Sequence, residues 1–187
     1  MEDECFSSFI KGKAIFLREV RLSDVNENYY RWLNDPEVTQ YLETRYFPQP
    51  MEKIKEYVEI TNSKSDQVFL AICINQNGQH IGNIKLGPLN WIHRLGEISL
   101  VIGEKEHWGK GYASEAIKLV SDYAFDIIGL HKVTAGTYST NPGSVRAFEK
   151  AGFEMEGIWK RHYFSKGDYV DRVCLGKIRG TTMKDGR

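Results

Sequence analysis

A single mixed α/β domain is the fold class this sequence predicts, and three observations predict it. The chain has 187 residues, enough to bury one sizeable core without needing a second. Strand-like and helix-like periodicities alternate in the order β-α-α-β-β-β-α-β-α-β-β, with no internal repeat or linker between them. One helix, opening at Gly111, carries the strongest period in the chain: Ala113, Ala116, Ile117, Val120, Ala124, Ile127 and Ile128 recur at three- and four-residue steps.

Each element has a local reason. Ala14–Val20 reads as a first strand, followed by Ser23 or Asp24 as a helix cap and a helix to about Leu33, which stops at the turn Asn34-Asp35-Pro36-Glu37. Pro48 and Pro50 bracket a turn before a helix over Met51–Asn62. Val68–Ile74 and His80–Leu86 read as strands joined at Asn75-Gln76-Asn77-Gly78, and Gly96–Ile102 as a further strand. Gly129 stops the long helix, and Lys132–Tyr138 is a strand. Asn141 caps a short helix with Pro142 at its first position and Gly152 past its end. Glu154–Phe164 and Tyr169–Ile178 form a last hairpin, and residues 179–187 read as a disordered tail.

Composition excludes several function classes. Lys plus Arg equal Asp plus Glu at 25 each, so the chain has no overall bias toward nucleic acid or an anionic membrane. No apolar run approaches the ~20 residues that span a bilayer, and the start, Met-Glu-Asp-Glu-Cys, is unlike a signal peptide. Cys5, Cys73 and Cys174 are far apart, odd in number and form no CxxC pair, which fits a reducing cytoplasm. The five histidines show neither HxxxH nor HExxH spacing, so no metal site is expected.

The most informative stretch runs from Glu97 to Glu115. An apolar strand leads into a charged loop, and Gly109 and Gly111 open the long helix. Glycines there let a ligand approach the backbone, and the free N–H groups at the positive end of the helix dipole suit a phosphate. A dinucleotide fingerprint fails, because Ser114 stands where the third glycine belongs and no acidic strand end follows about 20 residues on. A P-loop fails too, lacking the four-residue spacer and the Lys-Ser/Thr pair. A pyrophosphate cradle remains, beside the plainer alternative of a turn that only starts a helix.

Trp108-Gly109-Lys110-Gly111-Tyr112-Ala113-Ser114-Glu115-Ala116 resembles the acyl-CoA signature Q/R-x-x-G-x-G/A of the GNAT superfamily of N-acetyltransferases. Gly111 and Ala113 match it, and Trp108 replaces the first polar residue, as in the RimJ/RimL-like branch. Asn141-Pro142-Gly143-Ser144 with Phe148-Glu149-Lys150-Ala151-Gly152-Phe153, and Gly167-Asp168-Tyr169-Val170-Asp171, are similar to further segments of that branch. The resemblance spans residues 13–178. It implies a mixed, mostly antiparallel twisted sheet of about seven strands with about four helices.

What the resemblance implies for chemistry is direct acetyl transfer from acetyl-CoA to a primary amine. Amides of Gly109, Lys110, Gly111, Tyr112, Ala113 and Ser114 would hold the pyrophosphate, with Trp108 alongside. Leu100, Val101 and Ile102 would pair with the pantetheine arm, and the N–H of Leu100 or Val101 would polarise the thioester carbonyl. Asn141, Ser144 and Phe148 complete the expected cofactor set, although Asn before Pro is equally an ordinary N-cap. An alkylamine near pKa ~10 is almost wholly protonated at neutral pH, so a base is useful. Glu97 interrupts an apolar strand, on the face of Ser99 and Val101, and is either that base or an ion-pair partner, for instance of Arg94. Ser144 is the candidate acid for the departing thiolate or a helix-start hydroxyl. Phe148 occupies the position of the tyrosine many relatives use, and Tyr138 is a reserve.

The acceptor stays open at this level. Protein N-termini, amino sugars and amino acids all fit, no nucleic acid or membrane partner is expected, and a homodimer is admitted. A spermidine reading draws on Leu89-Asn90-Trp91-Ile92-His93-Arg94 and on Asp35, Glu37, Glu43, Glu52 and Glu56, which otherwise form a solvated face. A non-catalytic acyl-CoA-binding module is the contrasting class. Tyr29, Tyr30, Trp32 and Tyr41 lie in the region that shapes the acceptor site in this family or simply pack the core.

Overall fold

The alternating apolar segments assemble into one eight-stranded sheet in a computed structural model that describes residues 8–180. The strands are β1 (Ile10–Lys11), β2 (Ile15–Glu19), β3 (Val68–Ile74), β4 (His80–Leu86), β5 (Leu95–Ile102), β6 (Lys132–Tyr138), β7 (Glu154–Ser165) and β8 (Asp168–Ile178). Their order is β1-β2-β3-β4-β5-β6-β8-β7, and every neighbouring pair is antiparallel except β5 with β6. The helices are α1 (Glu27–Asn34), α2 (Pro36–Thr39), α3 (Met51–Ser63), α4 (Tyr112–Asp126) and α5 (Pro142–Lys150).

Two apolar clusters, one on each sheet face, make the core. Ile84, Leu86 and Ile98 meet Ile117, Val120 and Ala124 of α4 and Phe148 of α5. On the other side Phe69, Ala71 and Cys73 meet Tyr29 and Trp32 of α1 and Ile54 and Val58 of α3. Successive residues of one strand divide between the two clusters, as the period of two requires.

Three expectations need correction. Short β1, paired with β2, is an added strand. The supposed turn at Asn34–Glu37 is also a helix start: Asp35 accepts the Glu37 N–H at 2.8 Å and Pro36 takes the first position of α2, so the residues that stop α1 begin α2. Arg179, expected at the start of a disordered tail, is held to the sheet, where its N–H donates to the His131 carbonyl at 2.9 Å. Residues 181–187 lie outside the described residues.

What positions the site is the short β5–β6 ladder. Parallel pairing covers only Leu95, Gly96 and Glu97 against Lys132, Val133 and Thr134. Beyond Glu97 the two strands part, although β5 runs on to Ile102 and β6 to Tyr138.

Candidate active site

Two cavities open around that parting. The first, about 570 Å³, runs from Leu100, Val101 and Ile102 over the start of α4 to Asn141 and Ser144 of α5. The second, about 590 Å³, lies on the other side of β5 among α1, α3 and β4. Tyr41, Leu42, Leu100 and Val101 line both, so the cavities meet at the middle of β5.

In the first cavity Gly109 and Gly111 take φ of +74° and +89°, a region that side chains with a Cβ rarely adopt. A Cβ at either would meet nothing within 4 Å, so the backbone there faces open space. Gly111 is the N-cap of α4 and its carbonyl accepts the Glu115 N–H at 3.0 Å, which leaves the N–H groups of Tyr112, Ala113 and Ser114 without helical partners. An open concave backbone with free donors at the positive end of a helix of 15 residues fits a pyrophosphate. Arg146 and Lys150 of α5 line the same cavity without an ion pair among the described residues, and add positive charge that sequence reasoning missed.

Strand parity narrows the thioester donor. The Gly87 N–H donates to the Glu97 carbonyl at 2.8 Å and the Gly103 N–H to the Ile81 carbonyl at 2.8 Å, so odd-numbered residues of β5 point their amides toward β4. Even-numbered residues point the other way, and the Ile102 carbonyl there accepts from Trp108 Nε1 at 2.8 Å. The Leu100 amide therefore faces the parting of the strands, whereas that of Val101 is turned to β4.

Asn141 Oδ1 accepts the Ser144 N–H at 3.1 Å, an N-cap bond, and both side chains line the first cavity. Lys110 is exposed in the loop between the two glycines and is absent from the lining, which leaves its backbone amide as its expected contribution. Phe148 is 2% exposed and packs edge-on against Phe153 in the core, with ring centroids 5.0 Å apart. An aromatic ring on the apolar stripe of α5 belongs to the core before it belongs to a ligand. Tyr138 also lines neither cavity: its ring stacks on Tyr163 at 4.1 Å, and its hydroxyl accepts from Arg45 at 3.1 Å.

Glu97 sits at the last β5–β6 rung, where the strands part. Its Oε1 accepts a hydrogen bond from Arg172 Nη2 at 2.9 Å, so its partner is Arg172 and not Arg94. The Glu97 side chain is 43% exposed, and it lines neither cavity. The Arg172 guanidinium lies 4.9 Å over the Trp159 ring and fills the space beside Gly136, where a Cβ would collide with it. Tyr163 stands nearby, and burial raises its pKa despite the opposing effect of Arg172, so it is protonated at neutral pH.

The acidic residues divide. Lys105 bridges Asp35 and Glu37, each at 2.9 Å. Glu52 and Glu56 are exposed on α3 and outside both linings, and among the described residues Glu43 is the only carboxylate lining the second cavity. Two lysines, Lys53 and Lys85, line that cavity as well. Among the described residues no group of three or more His, Cys, Asp or Glu side chains could hold a metal, and no helix is long and apolar enough to cross a membrane.

Residues 14–154 match the family model of the acetyltransferase (GNAT) domain. The chain belongs to the GNAT acetyltransferases. It is 33% identical over 130 residues to spermidine N(1)-acetyltransferase of Vibrio cholerae, covering 67% of this chain and 73% of that protein. It is also 33% identical over 175 residues to the probable N-acetyltransferase YjcK of Bacillus subtilis, covering 89% and 94%. The crystal structure of the Vibrio cholerae spermidine N-acetyltransferase with CoA and spermine is similar at a TM-score of 0.80 and 25% identity, over 89% of this chain and 96% of that one. This GNAT protein is thus an acyltransferase that uses acetyl-CoA and moves the acetyl group to an amine.

Proposed function

We propose that acetyl-CoA lies in the first cavity and that a small primary amine enters through the second, so that the two meet at Leu100 and Val101. The observation that carries this reading is the shared wall of the two cavities beside the open glycine cradle. Acetyl-CoA supplies a thioester-activated acetyl group, and the chain's own residues do the rest. The amides of Gly109 to Ser114 neutralise the pyrophosphate, with Arg146 and Lys150 in support. The Leu100 N–H meets the thioester oxygen, where preformed donors stabilise developing charge. Glu97 takes the amine proton through a water at its free Oε2, while Arg172 holds Oε1. Ser144 delivers a proton to the departing thiolate, and the Asn141 cap fixes the start of α5 beside it.

The same reading places the chain in the RimJ/RimL-like branch, on the Asn141-Pro142-Gly143-Ser144 segment, and in a reducing cytoplasm, on the unpaired Cys73 and Cys174. The spermidine acetyltransferases among the relatives support a polyamine as the second reading for the acceptor. Thiol release from acetyl-CoA across N-terminal peptides, polyamines, amino sugars and amino acids tests both, with light scattering to report whether a homodimer forms. Turnover of one amine class supports the transfer reading. A protein that binds acetyl-CoA and acetylates no amine overturns it in favour of a binding module.

A further inference from the structure

The second cavity holds polar groups that acetyl transfer does not use. Asn83, in the middle of β4, is 3% exposed and lines this cavity. Its Oδ1 is 2.9 Å from His80 Nε2, and that nitrogen is also 3.0 Å from the Gly82 carbonyl oxygen. A carbonyl only accepts, so His80 Nε2 carries the hydrogen and the Asn83 amide must turn its oxygen toward the ring. The amide NH2 is left facing away, and Nδ2 is buried without a hydrogen-bond partner among the described residues. His80 is itself fixed, with ring centroids 5.0 Å from Trp32 and 6.1 Å from Tyr29 and its Nδ1 3.9 Å from Asp24. Burial lowers its pKa against the pull of Asn83 and Asp24, consistent with a neutral ring that donates from Nε2.

A buried donor held in place without an acceptor is rare in native proteins and calls for a partner. Around Asn83 the cavity is cationic. Lys85 lies two residues on, on the same strand face, with Nζ 3.4 Å from the Tyr57 hydroxyl. Lys53 of α3 reaches over the Phe47 ring at 5.7 Å. Neither lysine has an ion pair among the described residues, and Glu43 is the single opposing carboxylate in the lining.

We propose that the acceptor carries an anionic group, in the simplest case a carboxylate, remote from its reacting amine, and that Asn83, Lys85 and Lys53 receive it. The inference rests on the acetyl-transfer reading and names its substrate class: an amino carboxylate. An ionised carboxylate accepts from Asn83 Nδ2 and from both ammonium groups at once, and such charge-assisted bonds are the strong ones. A polyamine in the same place would set its remote ammonium against two lysines and leave Asn83 unpaired.

The test is thiol release from acetyl-CoA with amino carboxylates from glycine to ε-aminocaproate, each against its own neutral amide, with cadaverine and spermidine alongside. The best carboxylate should exceed its amide in kcat/KM by at least about tenfold. Lys85→Met should shrink that ratio and Lys85→Glu should turn preference toward cadaverine. Calorimetry of the preferred carboxylate with the CoA-loaded protein gives a second readout, which K85M should weaken about as much. Equal rates for acid and amide, or a preference for spermidine in the wild type, overturn the anion site and leave acetyl transfer standing. No turnover of these amines together with turnover of an N-terminal peptide or an amino sugar overturns the anion site and leaves acetyl transfer standing, whereas turnover of no amine of any of these classes overturns both.

Discussion

Replacing Gly111 by Asn and by Asp separates charge from shape at the cofactor cradle. Gly111 holds φ +89° and ψ −3° at the cap of α4, a conformation that Asn and Asp tolerate better than other residues. Both substitutions carry the same backbone strain of about 1 kcal/mol. Neither adds a collision, because a Cβ there meets nothing within 4 Å. The pair therefore differs by one negative charge beside the expected pyrophosphate. At a separation of about 4 Å a like charge costs about 1 kcal/mol in a water-like medium and about 4 kcal/mol in a surface pocket of lower dielectric. G111D should thus bind CoA between about fivefold and about a thousandfold more weakly than G111N. Titration calorimetry at low salt reads the ratio, and added salt should narrow it. Pantetheine, which lacks the pyrophosphate, should bind the two variants alike. Equal CoA affinity for G111D and G111N would refute the cradle, and so would a matching loss for pantetheine.

Further perturbations address the remaining parts. Glu97→Gln should lower kcat on the true amine by about a hundredfold, the usual scale of a general base, and leave CoA affinity near wild type; full activity across pH would remove Glu97 from the chemistry. Gly136→Ala forces a methyl group against the Arg172 guanidinium, so it should cost about 1–3 kcal/mol in denaturant unfolding, and an unchanged midpoint would mean that Arg172 moves freely. Asp24 forms a two-pronged pair with Arg18, both bonds at 2.7 Å. Burial raises its pKa, but the bonds from Arg18 and the Arg21 N–H outweigh burial, and the net direction is down. A carboxylate with a folded pKa below its unfolded value adds stability above the unfolded pKa, near 3.9, and loses it as pH falls through the folded value. Asp24→Asn should therefore destabilise by about 3 kcal/mol at neutral pH, with the gap to wild type closing in acid unfolding curves below about pH 4.

The cofactor half of the site was legible because its parts are local. A strand, two glycines and a helix start follow one another in sequence, and each meaning depends on neighbours a few residues away. The same locality explains why Phe148 was expected beside the cofactor although its ring packs in the core. A position in a motif does not say which side of a helix or loop faces the ligand, and the core claimed the phenylalanine. The second cavity, proposed to take the acceptor, is assembled from α1, α3, β4 and β5, and its meaning appears only when these meet. Arg172 reaches Glu97 across a separation of 75 residues, so no local pattern could have preferred it to nearby Arg94. Asn83 was within reach of the argument that singled out Glu97, since it too interrupts an apolar strand. Which polar strand residue mattered depended on where β5 and β6 part and on what His80 does with its hydrogen. The resemblance to spermidine acetyltransferases is one of fold and of sequence over much of the chain, and such a resemblance does not name the amine that the second cavity takes. On the proposed anion site, a chain of this family keeps a cofactor signature resembling that of its relatives, while Lys53, Lys85 and Asn83 turn the second cavity toward the opposite charge.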